Sequence, residues 1–308
     1  MTSTPPWGAF IIGLVTVLDP CLVTVTGYLL PEVYVSFFII LFLALCIHLN
    51  RNKNKNMFWV FMGGITATLL YFSREEYLFA PIIISVFYYR EWPKGYIALL
   101  LVFLILPTIW MVRKSNLPES PSRLRIAAFE GSLPFPEIDG SLKYLVSRIP
   151  EYKKFDPMKN SWTEFSTIMI QRIKDNPMLL LWYFPQKSIY LLKFHFLQGT
   201  DIYIYPVLKS IWQLPIFNFL KTMSKYIFYL SIPLCILGIC QNFRNKNNPL
   251  KGIAFLMIFY FGFFHIFVPE PKYLLPFRPI IYLFAFSFIT KIWSNFKKQN
   301  VKDAGAMR

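Results

Sequence analysis

The stretch VYVSFFIILFLALCIHLNRNKNKNMFWVFMGGITATLLYFSREE, residues 33–76, decides the fold of this chain. Two apolar runs, 33–50 and 57–72, are separated by a basic turn at 51–56 and followed by the charged turn 73–76. Such runs are typical of helices that cross a lipid bilayer, and Lys and Arg in a short turn mark its cytoplasmic side. The stretch therefore predicts two membrane-spanning helices joined on the cytoplasmic side.

The composition of the whole chain agrees with a membrane protein. Of 308 residues, 55% are hydrophobic, 19% are aromatic and only 16% are charged, which argues against a soluble domain and against disorder. The net charge of +16 lies largely beside apolar segments, which indicates anionic lipid headgroups and excludes nucleic acid as the expected partner. The His, Cys and Asp residues do not have metal-site spacing, so neither a metal nor a cofactor is expected.

Apolar runs along the chain predict an all-α polytopic membrane protein with about eight transmembrane helices and one extracytoplasmic insertion of mixed helix and loop. The runs are 7–18, 33–50, 57–72, 77–89, 96–112, 226–241, 253–268 and 278–294. Eight spans place the basic segments 51–56, 90–95, 241–252 and the tail after Trp293 on one side, the cytoplasmic one.

Three regions follow from this topology. Residues 1–112 form an N-terminal bundle of about five spans, 113–225 an extracytoplasmic or interfacial domain, and 226–308 a C-terminal bundle of about three spans with a cytoplasmic tail. The apolar segment 177–196 is interpreted as a helix lying at the outer interface, with Lys187 and Lys193 among lipid headgroups.

Ionisable residues collect at the predicted outer ends of the helices, where a substrate with a lipid tail and a polar head would bind. Each has a plainer alternative. Arg74 with Glu75 or Glu76 is also typical of a solvated turn, and Arg113 of an anchor to headgroups. Lys272 and Arg278 are also typical of snorkelling side chains. The whole set is Asp19, Glu32, Arg74, Glu75, Glu76, Arg113, Lys114, Glu270, Lys272 and Arg278.

The run HIFVPEPKYLLPFRP, residues 265–279, opens the last apolar helix. It resembles the signature near the end of GT-C type glycosyltransferases that use polyprenyl- or dolichyl-phosphate sugars, of the protein O-mannosyltransferase and aminoarabinose transferase kind. Lys272 stands where that signature usually has Arg, which keeps the charge and loses the bidentate fork. Weaker matches lie upstream of this run, at 19–32, 63–76, 106–114 and 175–187. They occur in the same order as in the family.

The resemblance implies transfer of a sugar from a polyprenyl-phosphate carrier to an unidentified acceptor on the outer face. Lys272, Arg74, Arg113 and Tyr273 are then the candidates for binding the donor phosphate. The family's acidic base lies in a first outer loop upstream of everything matched here, so this chain is expected to lack that N-terminal part. Glu32 is the acidic residue left to act as a base or as a positioning group.

Two other functions stay open at this point, a glycolipid transporter and a non-catalytic membrane remnant or assembly partner. The absence of an internal repeat weighs against a transporter. The expected location is a bacterial inner membrane, with the insertion on the periplasmic side and membrane lipid as a further partner.

Overall fold

The computed structural model describes residues 6–19, 22, 31–51, 56–115, 162–175, 177, 185, 187–189, 191–192, 215–244, 248–266 and 271–306. Most of the predicted insertion, 113–225, lies outside these residues. The described part of the chain contains helices and 3-10 turns and no strand, which confirms the all-helical prediction for that part.

A helix covers most or all of each predicted apolar run. The helices are α1 (Pro6–Val17), α2 (Pro31–Arg51), α3 (Met57–Ser73), α4 (Phe79–Tyr88), α5 (Pro93–Ser115), α6 (Trp162–Asp175), α7 (Pro215–Arg244), α8 (Lys251–Ile266) and α9 (Arg278–Ala306). Two 3-10 turns complete the set, the first turn (Glu75–Leu78) before α4 and the second turn (Pro271–Phe277) before α9. The main differences are in α7, which begins 11 residues before the run that predicted it, and in α9, which ends 12 residues after its run.

Four of these helices, α2, α5, α7 and α9, are long and apolar enough to cross a membrane. The other apolar helices are shorter; α4 has 10 residues, about 15 Å at the usual rise per residue. Only 22% of the most apolar stretch of α7 is buried, so its remaining apolar surface faces outward. A large outward apolar surface is costly in water and matches the requirement of a helix in lipid. Eight spans stay a prediction.

The helices pack as an up-and-down bundle, and ring contacts fix their relative directions. α2 and α3 are antiparallel, because His48 near the end of α2 meets Trp59 near the start of α3, with 5.0 Å between ring centroids. α3 and α5 are parallel, because Thr68 donates to the Phe103 carbonyl at 3.2 Å and the rings of Phe72 and Trp110 lie 6.1 Å apart.

The C-terminal helices also alternate in direction. α8 runs antiparallel to α4, since Phe79 meets Phe263 and Phe87 meets Phe255, with ring centroids 5.7 and 5.0 Å apart. The end of α1, the start of α2, the end of α3 and the start of α9 consequently lie at the same end of the bundle. We call this the charged end, because Asp19, Glu32, Arg74, Glu76 and Arg278 are found there.

The tightest contact between helices is at Gly238, where α7 crosses α9. A Cβ atom on Gly238 would lie 2.2 Å from the backbone oxygen of Phe284. No side chain fits in that space, and the two backbones would have to separate. Small residues allow such a close approach between membrane helices, where dispersion contacts replace the hydrophobic effect.

Replacing Gly238 by alanine is therefore expected to destabilise the protein by about 1–3 kcal/mol, the usual cost of overpacking. The matched control is Gly262→Ala in α8, where an added Cβ meets nothing within 4 Å. Thermal unfolding in detergent, followed by Trp fluorescence, measures both variants. Equal midpoints for the two variants would contradict the close contact.

Candidate functional site

The charged end is built around Arg74, the residue that follows α3. The Nη2 group of Arg74 donates a hydrogen bond to Oε1 of Glu32, in the first turn of α2. Glu32 is buried, and a carboxylate in a first helical turn also interacts favourably with the helix dipole. The two partners lie 42 positions apart, with most of α2, the basic segment 51–56 and α3 between them, so the antiparallel packing of these helices forms the pair.

A second carboxylate lies on the other side of the same guanidinium. Oε1 of Glu76, in the first turn, is 3.6 Å from Nη1 of Arg74. Burial alone would lower the pKa of Arg74, but the charges of Glu32 and Glu76 outweigh it, and the pKa is raised. Arg74 is consequently a permanent cation held between two acidic side chains.

The second turn completes the surroundings of Arg74. Cζ of Arg74 lies 5.1 Å from the ring centroid of Tyr273, a cation–π distance. Tyr273 in turn stacks on Phe264 at the end of α8, with 5.2 Å between centroids. The aromatic ring thus contacts the guanidinium and joins the end of α3 to the C-terminal helices.

Tyr77 and Tyr260 hold the first turn, Glu75–Leu78, in place. The ring of Tyr77 lies 5.0 Å from that of Tyr260 and 6.0 Å from that of Phe277. The hydroxyl of Tyr260 donates to the backbone oxygen of Glu76 at 3.1 Å. These contacts fix the backbone from which the Glu76 side chain extends.

A second ion pair lies deeper at the same end. Nη1 of Arg278, at the start of α9, donates to both carboxylate oxygens of Asp19 at 2.9 Å. Tyr282 donates to Oδ2 of Asp19 at 2.7 Å, and Cζ of Arg278 lies 4.4 Å from the centroid of the Phe228 ring. Asp19 and Arg278 are each only 1% exposed. The cluster therefore ties α1 to α9 and α7 in a nearly water-free place.

The predicted donor-phosphate residues meet in part. Arg74 and Tyr273 are in contact, and Glu32 is bonded to Arg74. Lys272 precedes Tyr273 in the second turn, but its side chain is outside the described residues. Arg113 is exposed near the end of α5 and, among the described residues, makes no hydrogen bond or ion pair with this cluster.

Two plainer interpretations of these charges do not hold. Arg74 is not in a solvated turn, since its side chain is 18% exposed and paired twice. Arg278 does not snorkel, since it is buried and bonded to Asp19. Sequence reasoning missed the Asp19–Arg278 pair and Tyr282. A signal was present, because an aspartate and an arginine at the apolar ends of spans each need a partner.

Lys187 differs from its expected place among lipid headgroups. It is 7% exposed, and Leu191, four residues on, is 1% exposed. Burial lowers the pKa of Lys187 to about 8. Lys193 lies outside the described residues.

Burial of Lys187 is expected to raise its contribution to the free energy of unfolding as the pH increases from 8 towards 10. In this range Lys187 is mostly neutral in the fold, while the unfolded chain, with a lysine pKa of about 10.4, still binds the proton. The slope from this one group is at most about 1.4 kcal/mol per pH unit. Lys187→Met should flatten this slope and the exposed Lys94→Met should keep it, when unfolding midpoints are measured from pH 7 to 10. A wild-type slope in Lys187→Met would refute the buried state.

Among the described residues, no group of three His, Cys, Asp or Glu side chains is placed to hold a metal ion. The side chains described at the charged end supply two guanidinium groups, carboxylates and phenol rings. Comparison with protein-family models, with curated proteins and with solved structures finds no match to this chain.

Proposed function

We propose that this chain is an integral membrane glycosyltransferase, or part of one, that transfers a sugar from a polyprenyl-phosphate carrier to an acceptor on the outer face of the membrane. One observation carries the proposal. Arg74 makes a cation–π contact with Tyr273, and Tyr273 belongs to the 265–279 segment that resembles the family's signature. Two segments matched separately in the sequence therefore meet in space, as a shared phosphate site requires.

The reaction makes few demands on the protein. The acceptor hydroxyl gives its proton to a base, its oxygen forms a bond with the anomeric carbon, and the bond from that carbon to the phosphate oxygen breaks. The polyprenyl phosphate leaves with the electron pair, and a fixed cation stabilises the charge that develops on it. Arg74 is our first candidate for that cation, with Lys272 and Arg113 as further ones.

The carrier's tail requires an apolar path between or beside helices. The four long apolar helices supply such surfaces, and we propose that the remaining apolar helices bring the number of spans to about eight. In this arrangement the charged end and the insertion 113–225 are both on the outer side. The basic segments then lie in the cytoplasm of a bacterial cell.

A second candidate, a non-catalytic assembly partner, is favoured by the charge balance of the charged end. Arg74 is paired with two carboxylates and Arg278 with one. Such pairs are also what a purely structural contact between helices needs. Under this candidate the protein binds no donor phosphate.

An assay in proteoliposomes distinguishes the two candidate functions. The proteoliposomes contain the purified chain and a panel of polyprenyl-phosphate-linked hexoses and pentoses. Membranes of the producing cells supply acceptors, and release of polyprenyl phosphate, the product common to all of these sugars, is followed by mass spectrometry. We expect release with at least one sugar and none from liposomes without protein. Binding of polyprenyl phosphate without release from any of these donors would overturn the transfer reaction and leave the phosphate site, and neither binding nor release would refute the proposal and favour the assembly partner.

A further inference from the structure

The two ends of the Arg74 guanidinium have different surroundings. The Nη2 end is closed by a direct hydrogen bond to Glu32, whose side chain is 5% exposed. The Nη1 end faces Glu76, whose nearest oxygen is 3.6 Å away and whose side chain is 19% exposed. The first contact is a charge-assisted hydrogen bond, and the second is an ion pair beyond hydrogen-bond distance.

Because of this difference, a ligand can replace one of these two carboxylates at Arg74 more easily than the other. A buried, hydrogen-bonded carboxylate is costly to separate from its partner, because it would be left desolvated. A partly exposed ion pair at a longer distance contributes little and its carboxylate can turn into water. Glu76 can therefore leave Arg74 far more easily than Glu32 can.

The net charge of the three side chains makes an exchange necessary. One guanidinium and two carboxylates sum to −1, which repels an incoming phosphate ester. If the Glu76 side chain moves away, the remaining pair is neutral and the Nη1 donors become available. The Tyr260 bond holds the backbone of Glu76, so the side chain can turn without unfolding the first turn.

Tyr273 restricts the direction of approach further. The Arg74 guanidinium lies over its ring, which closes that side to an anion, and a planar guanidinium binds anions through the N–H groups along its edge. An anion thus reaches Arg74 along the edge that Glu76 occupies.

We propose that the phosphate of a polyprenyl-phosphate ligand binds Arg74 at Nη1 by displacing Glu76, while Glu32 stays bonded to Nη2 as a positioning residue. This inference rests on the proposed function and gives the two carboxylates opposite roles. Glu76 competes with the ligand for Arg74 and so lowers the affinity of the protein for that ligand. Glu32 orients the guanidinium that receives the ligand.

The test measures the affinity of a short-chain polyprenyl phosphate for the full chain in nanodiscs made of neutral lipid. Glu76→Gln is expected to tighten binding about fivefold, because a competing charge beside a partly exposed arginine is removed. Glu32→Gln is expected to weaken binding about tenfold or more, because the guanidinium loses its charge-assisted partner. Glu75→Gln, an exposed neighbour in the same turn, is the control for removing one negative charge at this end and should change affinity less than twofold, as exposed charges do.

Each result bears on a different statement. Wild-type protein without measurable binding would overturn both the proposed function and this inference. Binding by the wild type with no tightening in Glu76→Gln, or with tightening in Glu32→Gln, would overturn the inference alone. Inorganic phosphate and anionic phospholipid serve as further probes. Opposite effects of the two variants on phospholipid, with none on polyprenyl phosphate, would assign the Nη1 end to headgroups and overturn the carrier as its ligand.

Discussion

Replacing Asp19 by alanine is expected to destabilise the protein by about 3–5 kcal/mol, the cost of removing one partner from a buried ion pair. The change leaves the Arg278 guanidinium, which is 1% exposed, without the carboxylate that accepts two of its hydrogen bonds. It also leaves the Tyr282 hydroxyl without its acceptor. Unfolding midpoints in detergent, followed by Trp fluorescence, measure the loss.

Three further variants test the cause of that loss. Tyr282→Phe removes one hydrogen bond and should cost about 1 kcal/mol. Glu75→Ala removes an exposed carboxylate at the same end and should stay within about 0.5 kcal/mol. The double variant Asp19→Leu with Arg278→Met replaces the pair by apolar side chains and should recover most of the stability. A double variant as unstable as Asp19→Ala would contradict the ion-pair explanation.

Replacing Arg74 by alanine is expected to lower the release of polyprenyl phosphate by about a thousandfold, the upper range for losing a group that stabilises transition-state charge. The guanidinium is the only part of the Glu32–Arg74–Glu76 cluster that carries positive charge. Its loss leaves two carboxylates, which repel the leaving phosphate. The measurement is the rate of release in proteoliposomes at saturating donor.

Arg74→Lys separates this effect from a folding defect. A lysine keeps the charge beside Glu32 and loses the planar fork, so an intermediate rate is expected. Arg90→Ala, at an exposed turn after α4, removes one positive charge elsewhere and should leave the rate unchanged. If Arg74→Ala retained the wild-type rate with the same unfolding midpoint, the phosphate role of Arg74 would be wrong.

Local patterns in the sequence were enough to place most helices. The runs 33–50 and 57–72 became α2 and α3, which begin and end within two residues of those runs. The apolar content decides such segments, and a polar turn with an Asn56 cap marks where α3 begins. α7 was underestimated because Lys221 and Lys225 interrupt its first turns, although a helix carries charged residues on its exposed side at little cost.

The sequence was enough to predict several residues of the candidate site but not how those residues pair. Alternating spans place Glu32, Arg74 and Tyr273 at one end of the bundle, and the structure brings these three together. The sequence pattern did not predict that Glu32 bonds to Arg74 or that Asp19 bonds to Arg278. Those pairs depend on which helices are neighbours, and hydrophobic periodicity carries no information on that choice.

The bond between Asp19 and Arg278 joins residues 259 positions apart in the chain. At a typical synthesis rate of about 5–20 residues per second, the arginine leaves the ribosome roughly 13–50 seconds after the aspartate. During that delay the aspartate is an unmatched anion next to an apolar helix and must stay in contact with water. The contact between α1 and α9 consequently cannot form until the last helix has been synthesised, and the ribosome's elongation rate sets the earliest time at which the fold is complete.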